Sequence, residues 1–233
     1  MKVVLLAGGL GTRLSEYTRT IPKPMVKIGG TPMLIHIMKL YAKYGFKDFY
    51  IALGYKGEII KKFFNKKFFD WNINLAETGR NTMTGGRLLR LKKYFGKNEN
   101  FMMTYGDGLS NQDLKQLLKH HLKHKKIATM TVVRPPVRFG EVKLKKNKIV
   151  QFKEKPQSSE GWINGGFFVL NSKIFNFING DNQMFEREPI EKLTSQNQLM
   201  AFKHYGFWQC MDTIRDKNLL NSLVKNKKAP WIE

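Results

Sequence analysis

One cysteine in 233 residues, Cys210, leaves no partner for an internal disulfide and no set of thiolates for a structural metal. No apolar run comes near the roughly 18 residues that a membrane-spanning helix needs. With no apolar leader at its start either, the chain is expected to be a cytoplasmic protein without a membrane partner. Low-complexity tracts, linkers and internal repeats are missing too, which points to one domain over 1–233. Acidic residues are scarce: 18 Asp and Glu stand against 41 Lys and Arg, a formal net charge of +23. Such a field attracts phosphate esters and nucleic acid alike. However, 32 of the 41 cations are Lys, and Asn and Ile are plentiful, which suits an AT-rich codon bias as well as it suits selection for a polyanion. No zinc spacing, helix-turn-helix signature or aromatic repeat accompanies the charge, so nucleic acid is not expected as a partner. The densest basic run, Lys115 to Lys126, carries Leu117, Leu118, His121 and Leu122 at helical spacing, which makes its lysines the solvated face of a helix.

Two common phosphate-binding signatures are also absent. The third glycine of a dinucleotide fingerprint is missing after Gly9-Leu10-Gly11, and about 20 positions on, where an acidic residue would stand, the chain reads Gly29-Gly30-Thr31-Pro32. No Gly-Lys-Ser/Thr follows, which excludes a P-loop. What stands at the start is Lys2-Val3-Val4-Leu5, an apolar β-rich run, followed at once by Leu6-Ala7-Gly8-Gly9-Leu10-Gly11-Thr12-Arg13 and then by Pro22-Lys23-Pro24-Met25. The glycines therefore sit at the carboxyl end of a buried first strand, the rim where open α/β sheets bind ligands. There the backbone N–H groups can approach a large anion, with Arg13 as a fork-shaped cation and Lys23 as a point charge. A polyphosphate cradle is the functional reading, and a tight turn with incidental basic residues the alternative. The rings of Pro22 and Pro24 are expected to hold Lys23 extended and aim its ammonium.

Further along, strand runs alternate with amphipathic helix patterns. Strands are expected at 49–53, 73–76, 101–105 and 128–133, and helices from Pro32 through Tyr41 and at 58–64, 88–94 and 111–124. Short strands near 141–153 and 163–170 and helices near 186–195 and 213–226 complete the pattern, which predicts an α/β fold with a single Rossmann-like, mostly parallel sheet. Asp107 lies between two glycines at a strand end, and Asp212 follows Phe207-Trp208-Gln209 at another. Mg²⁺ takes one or two carboxylates together with phosphate oxygens and water, and each of these aspartates is a carboxylate of that kind. A turn aspartate at 107 and a helix N-cap at 212 are the alternatives. His36, in the helix after Pro32, is expected to pack or cap.

With these residues in view, LAGGLGTRL (6–14) and PKPM (22–25) resemble the signature of the sugar-phosphate nucleotidyltransferases, which join a nucleoside triphosphate to a sugar 1-phosphate and release pyrophosphate. TMTGGRL (82–88) and GFWQCMDTIRDK (206–217) resemble the cytidylyl branch, whose members make CDP-glucose from CTP and glucose 1-phosphate. HIMKLYAKYGFKDF (36–49), TYGDG (104–108), FKEKP (152–156), WINGGFFV (162–169) and KAPW (228–231) extend the likeness to nearly the whole chain. The resemblance implies the nucleotide-diphospho-sugar transferase fold and a homo-oligomer, with Arg13, Lys23 and Asp107 catalytic and Mg²⁺ held by Asp107 and Asp212. It implies nucleotide contacts at Leu6, Ala7, Gly8, Gly9, Leu10, Gly11, Thr12, Arg13, Lys23, Thr82, Arg87 and Gly106. Sugar-phosphate contacts are implied at Gly140, Glu154, Lys155, Asn164 and Gly165. Taken alone, Glu154-Lys155-Pro156 reads as a surface turn and Arg87 as an ordinary first-turn helix residue.

Two departures from the family pattern stand out: a shorter connection between Asn65 and Thr78, and Cys210 in place of proline. The first leaves open another phosphate acceptor; UTP or dTTP as donor is a further alternative. A regulatory homologue that binds nucleotide sugar without turnover is the non-catalytic rival, and the presence of Arg13, Lys23, Asp107 and Asp212 together argues against it.

Overall fold

The structure, a computed structural model, describes residues 1–65, 70–135, 141–145, 148–153 and 161–232. Seven strands make the central sheet: β1 Lys2–Leu6, β2 Asp48–Leu53, β3 Asn72–Glu77, β4 Asn100–Tyr105, β5 Ala128–Val133, β6 Ile163–Asn171 and β7 Leu199–His204. Their spatial order is β7-β5-β6-β4-β1-β2-β3. β1 runs parallel to β2 and β4, β2 parallel to β3, and β7 parallel to β5. Only β6 is antiparallel to its neighbours, so the sheet is mostly parallel, as the alternation of elements predicts.

Helices cover both faces: α1 Met33–Lys43, α2 Gly57–Phe64, α3 Thr84–Arg90, α4 Leu114–His124, α5 Glu188–Ser195 and α6 Ile214–Lys225. The period of two along β1 sends Val3 and Leu5 to one layer, with Leu34, Ile37 and Tyr41 of α1, and Val4 and Leu6 to the other, with Leu88 of α3 and Phe101. A strand buried on both faces has no polar side to show, which is why this one reads as an unbroken apolar run. Each such Val or Leu contributes roughly 1.5–3 kcal/mol by leaving water.

Several boundaries differ from expectation for local reasons. α3 starts at Thr84 rather than Leu88, and Lys92–Tyr94 forms a separate 3-10 turn. Gly85 and Gly86 look like helix breakers, yet the Gly85 N–H reaches Gln183 O at 3.0 Å, and a Cβ at Gly85 would stand 2.6 Å from that oxygen. α4 begins at Leu114 rather than 111, because the Asp113 side chain caps it by accepting from the N–H groups of Lys115 and Gln116. Its buried residues are Leu114, Leu117 and His121, while Lys115, Lys119 and Lys123 face solvent as expected. β7 was not foreseen. It is an edge strand with alternate residues only half-buried, and Lys203 and His204 hide the pattern. Lys23 is not extended: Pro22 is (φ −68°, ψ 148°), but Lys23–Met25 form a 3-10 turn. Hydrogen bonds from Met25 N–H to Pro22 O and from Val26 N–H to Lys23 O outweigh the usual bias of a residue before proline. Among the described residues no helix is long and apolar enough to cross a membrane.

Candidate active site

The glycine loop leaves β1 still tied to its neighbours. Ala7 N–H donates to Ala52 O on β2 at 3.1 Å, and Gly106 N–H, just past β4, donates to Leu6 O at 3.1 Å. After the loop, Leu14 N–H returns to Gly11 O. Between these anchors the N–H groups of Gly8, Gly9, Leu10 and Gly11 donate to no acceptor among the described residues, so they are available to a ligand.

Arg87 fixes this loop from below. It is 4% exposed, and among the described residues no carboxylate meets its guanidinium. Nη1 donates to Leu53 O (3.1 Å), Thr78 Oγ1 (2.9 Å) and Gly79 O (2.7 Å), and Nη2 to Gly8 O (3.0 Å) and Arg80 O (3.2 Å). A Cβ on Gly8 would lie 2.3 Å from Nη1 and one on Gly54 2.2 Å, so the guanidinium fits only between two glycines. Burial, then neighbouring Arg90, lowers its pKa, and it stays charged because a guanidinium ordinarily titrates so high. Arg87 is thus no ordinary first-turn residue. It joins the glycine loop to the loops after β2 and β3.

The carboxylates are brought together by a second, smaller pairing. Gly108–Ser110 runs antiparallel to Trp208–Cys210, with Cys210 opposite Gly108, and Met211 N–H donates to Asp107 O at 2.8 Å. Asp107 and Asp212, far apart in sequence, therefore flank one point. Lys23 Nζ occupies it, 2.7 Å from Asp107 Oδ2 and 2.5 Å from Asp212 Oδ1. Arg13 Nη1 reaches the other oxygen of Asp212 at 2.7 Å from a mostly exposed side chain. Burial alone would lower the Lys23 pKa, but the two carboxylates, Asp107 first, outweigh it and hold the ammonium above its ordinary value. In the same way burial would raise Asp212, while Lys23 and then Arg13 keep it below the usual carboxylate range. The N-cap of α6 is Thr213 in a capping box with Asp216, so Asp212 is not the cap. Cys210 is half-buried beside Asp212, and burial, then that carboxylate, pushes its thiol up to about 12. His36 is a core residue: it donates through Nε2 to Ile28 O and accepts from Trp231 Nε1 through Nδ1.

A cleft of about 680 Å³ opens over these groups, a size ordinary for a small-molecule site. Its lining contains Leu6 to Arg13, Lys23, Thr82, Arg87, Gly106, Asp107 and Asp212, every residue expected at the nucleotide and the metal. Asn164 and Gly165 are not in that lining. They sit at a bulge of β6 with Asn164 Oδ1 accepting from Gly166 N–H and Gly165 O accepting from Trp208 Nε1. The expected contacts Gly140, Glu154 and Lys155 lie outside the described residues. Pro24, Arg80, Asn81, Met83, Thr84, Tyr105 and Glu186 also line the cleft and were not anticipated. Membership of TMTGGRL could have signalled Met83 and Thr84, and adjacency to it Asn81. Nothing local marks Glu186, which comes from a distant loop and accepts from Thr84 Oγ1 at 2.6 Å.

The sequence profile of the nucleotidyl transferase family matches residues 2–216. The chain belongs to that family. Among its relatives, the glucose-1-phosphate cytidylyltransferase of Salmonella typhimurium is 46% identical over 253 aligned residues, covering 99% of this chain and 98% of that protein. The probable glucose-1-phosphate cytidylyltransferase of Bacillus subtilis is 41% identical, covering 99% of each chain. Among solved structures, HddC from Yersinia pseudotuberculosis in complex with GMP-PN matches with a TM-score of 0.76 at 26% identity, covering 96% of this chain and 99% of that one. The Salmonella alignment is longer than the 233-residue chain itself, so that nucleotidyl transferase carries residues with no counterpart here.

Proposed function

We propose that the chain transfers CMP from CTP to α-D-glucose 1-phosphate, giving CDP-glucose and pyrophosphate. The observation that carries this reading is the convergence of Arg13, Lys23, Asp107 and Asp212 on one rim of the cleft, facing a loop of open N–H groups. End-to-end identity of 46% with a protein named for this activity supports the choice of CTP and glucose 1-phosphate.

In this reading an oxygen of the sugar phosphate attacks the α-phosphorus of CTP in line, and the P–O bond to the pyrophosphate breaks. The nucleophile is already an anion at neutral pH, so no general base is needed. The protein's contribution is alignment and charge stabilisation. The N–H groups of Gly8 to Gly11 cradle the triphosphate, and Arg13 and Lys23 stabilise charge on the departing pyrophosphate. Arg87, with its own N–H groups engaged by the chain, acts through Gly8 by fixing the cradle. Asp107 and Asp212 offer hard oxygen donors that already meet on a single cationic group, a donor set that fits Mg²⁺. When bound, the ion supplies neutralisation of phosphoryl charge. Glu154, Lys155, Gly140, Asn164 and Gly165 are assigned to the sugar phosphate.

The test is a pyrophosphate-release assay with CTP, Mg²⁺ and a panel of sugar 1-phosphates and other phosphate esters, with CDP-glucose identified as product. Glucose 1-phosphate should be the best acceptor. Faster turnover of another ester would reassign the acceptor, and no turnover with any would favour a regulator. Asp107→Asn and Asp212→Asn should each nearly abolish release with the fold intact, and the double variant should be little worse than either.

A further inference from the structure

Lys23 stands where a metal would have to go. Its Nζ makes close ion pairs with both carboxylates at once, and its side chain is only 13% exposed. Arg13 neutralises the remaining oxygen of Asp212, so two carboxylates are balanced by two cations before any ligand arrives. A divalent ion drawn to the same oxygens meets a fixed positive charge within a few ångströms, in a half-buried setting where repulsion is stronger than in water. The turn at Pro22–Met25 fixes the Lys23 backbone. The four-carbon stem above it still has rotatable bonds, so the ammonium can leave if other anionic oxygens are offered. A triphosphate laid on the N–H groups of Gly8 to Gly11 offers them.

We propose that Lys23 is an internal cation that holds the Asp107–Asp212 pair closed to divalent metal until the phosphates of the nucleotide draw its ammonium away, so that metal enters with the nucleotide and not before. The inference rests on the reading of these two aspartates as the metal carboxylates. In the nucleotide-bound state the same ammonium lies on phosphate, which joins its resting role to its catalytic one.

Mn²⁺ is the probe, measured on the full chain by electron paramagnetic resonance titration, with and without CTP and with no sugar phosphate present. Wild type should bind Mn²⁺ weakly alone and tightly with CTP. Lys23→Met should bind Mn²⁺ alone at least about tenfold more tightly than wild type, since the repulsion of a divalent ion by a unit charge is gone. Lys23→Arg, which keeps the charge, should stay weak. Asp107→Asn added to Lys23→Met should remove the gain. If Lys23→Met lowers stability, the rise in Tm that Mn²⁺ produces gives a second reading, and it should be larger in that variant than in wild type. Wild-type Mn²⁺ affinity in Lys23→Met, or tight Mn²⁺ binding by wild type without CTP, would overturn the internal-cation role. Failure of the underlying reading looks different: Asp107→Asn alone would then leave Mn²⁺ binding in the presence of CTP unchanged.

Discussion

Arg87 carries a buried charge that no carboxylate among the described residues answers; five oxygens of the chain hold it instead. Lysine has three donors on a flexible stem and cannot span that set, so Arg87→Lys leaves buried carbonyl groups without a partner, each costing about 1–3 kcal/mol. The variant should lose about 3 kcal/mol of stability and several degrees of Tm, and its KM for CTP should rise because Gly8 is no longer fixed. An arginine that only touched the nucleotide would leave Tm unchanged on substitution, and a thermal scan without ligand separates the two. Lys23 differs in kind. Its ammonium meets charge that grows as the α–β bond breaks, so it is worth more in the transition state than in the ground state. Lys23→Ala should lower kcat by about 10²–10³ with a much smaller loss in CTP binding, and Lys23→Arg should not restore it fully. Wild-type turnover in steady-state pyrophosphate release would make Lys23 a structural residue only.

Among the elements, α4 carries a pH dependence. His121 and His124 both contact Thr129 Oγ1, at 2.9 and 2.7 Å, and the His120 and His124 rings lie 5.3 Å apart. Burial, then His124 and His120, lowers the His121 pKa to about 4 from an ordinary 6.5. Between those values the unfolded chain binds a proton that the folded chain refuses. Stability from this group is therefore complete above pH 6.5 and is lost as pH falls toward 4, by roughly 3 kcal/mol over the whole span. Tm measured from pH 7.5 down to 4.5 should fall, and His121→Gln should flatten the slope. An unchanged slope in the variant would place the acid sensitivity elsewhere. Elements also divide what could be read in the sequence from what could not. The glycine loop was legible because a strand, its glycines and Arg13 are contiguous, and the other strands of the parallel block showed as apolar runs. Asp107 and Asp212 were legible only as two separate strand ends. The pairing that joins them, Gly108 with Cys210, is set by the folding of everything between. Arg87 was harder still, since its acceptors come from three loops and none of them is its helical neighbour. β7 was missed because an edge strand needs no apolar face.

For the whole molecule, the likeness to the cytidylyltransferases runs from end to end rather than resting on one motif, so the base preference is a property to test on the intact chain. CTP should be favoured over UTP, dTTP, ATP and GTP by at least about tenfold in kcat/KM, or roughly 1.4 kcal/mol. Equal rates with UTP or dTTP would place the chain in a neighbouring branch. The sheet order bears on a different matter, the order in which the chain is made. β1 to β4 leave the ribosome before β5, β6 and β7, and they already neighbour one another in the finished sheet. A nascent chain released as far as Tyr105 thus holds the whole parallel block around the glycine loop. It still lacks Asp212 and the strand that delivers it. Until Asp212 emerges, Lys23 has at most one of its two partners, and the cleft of a half-made protein keeps its cations without that balancing acid.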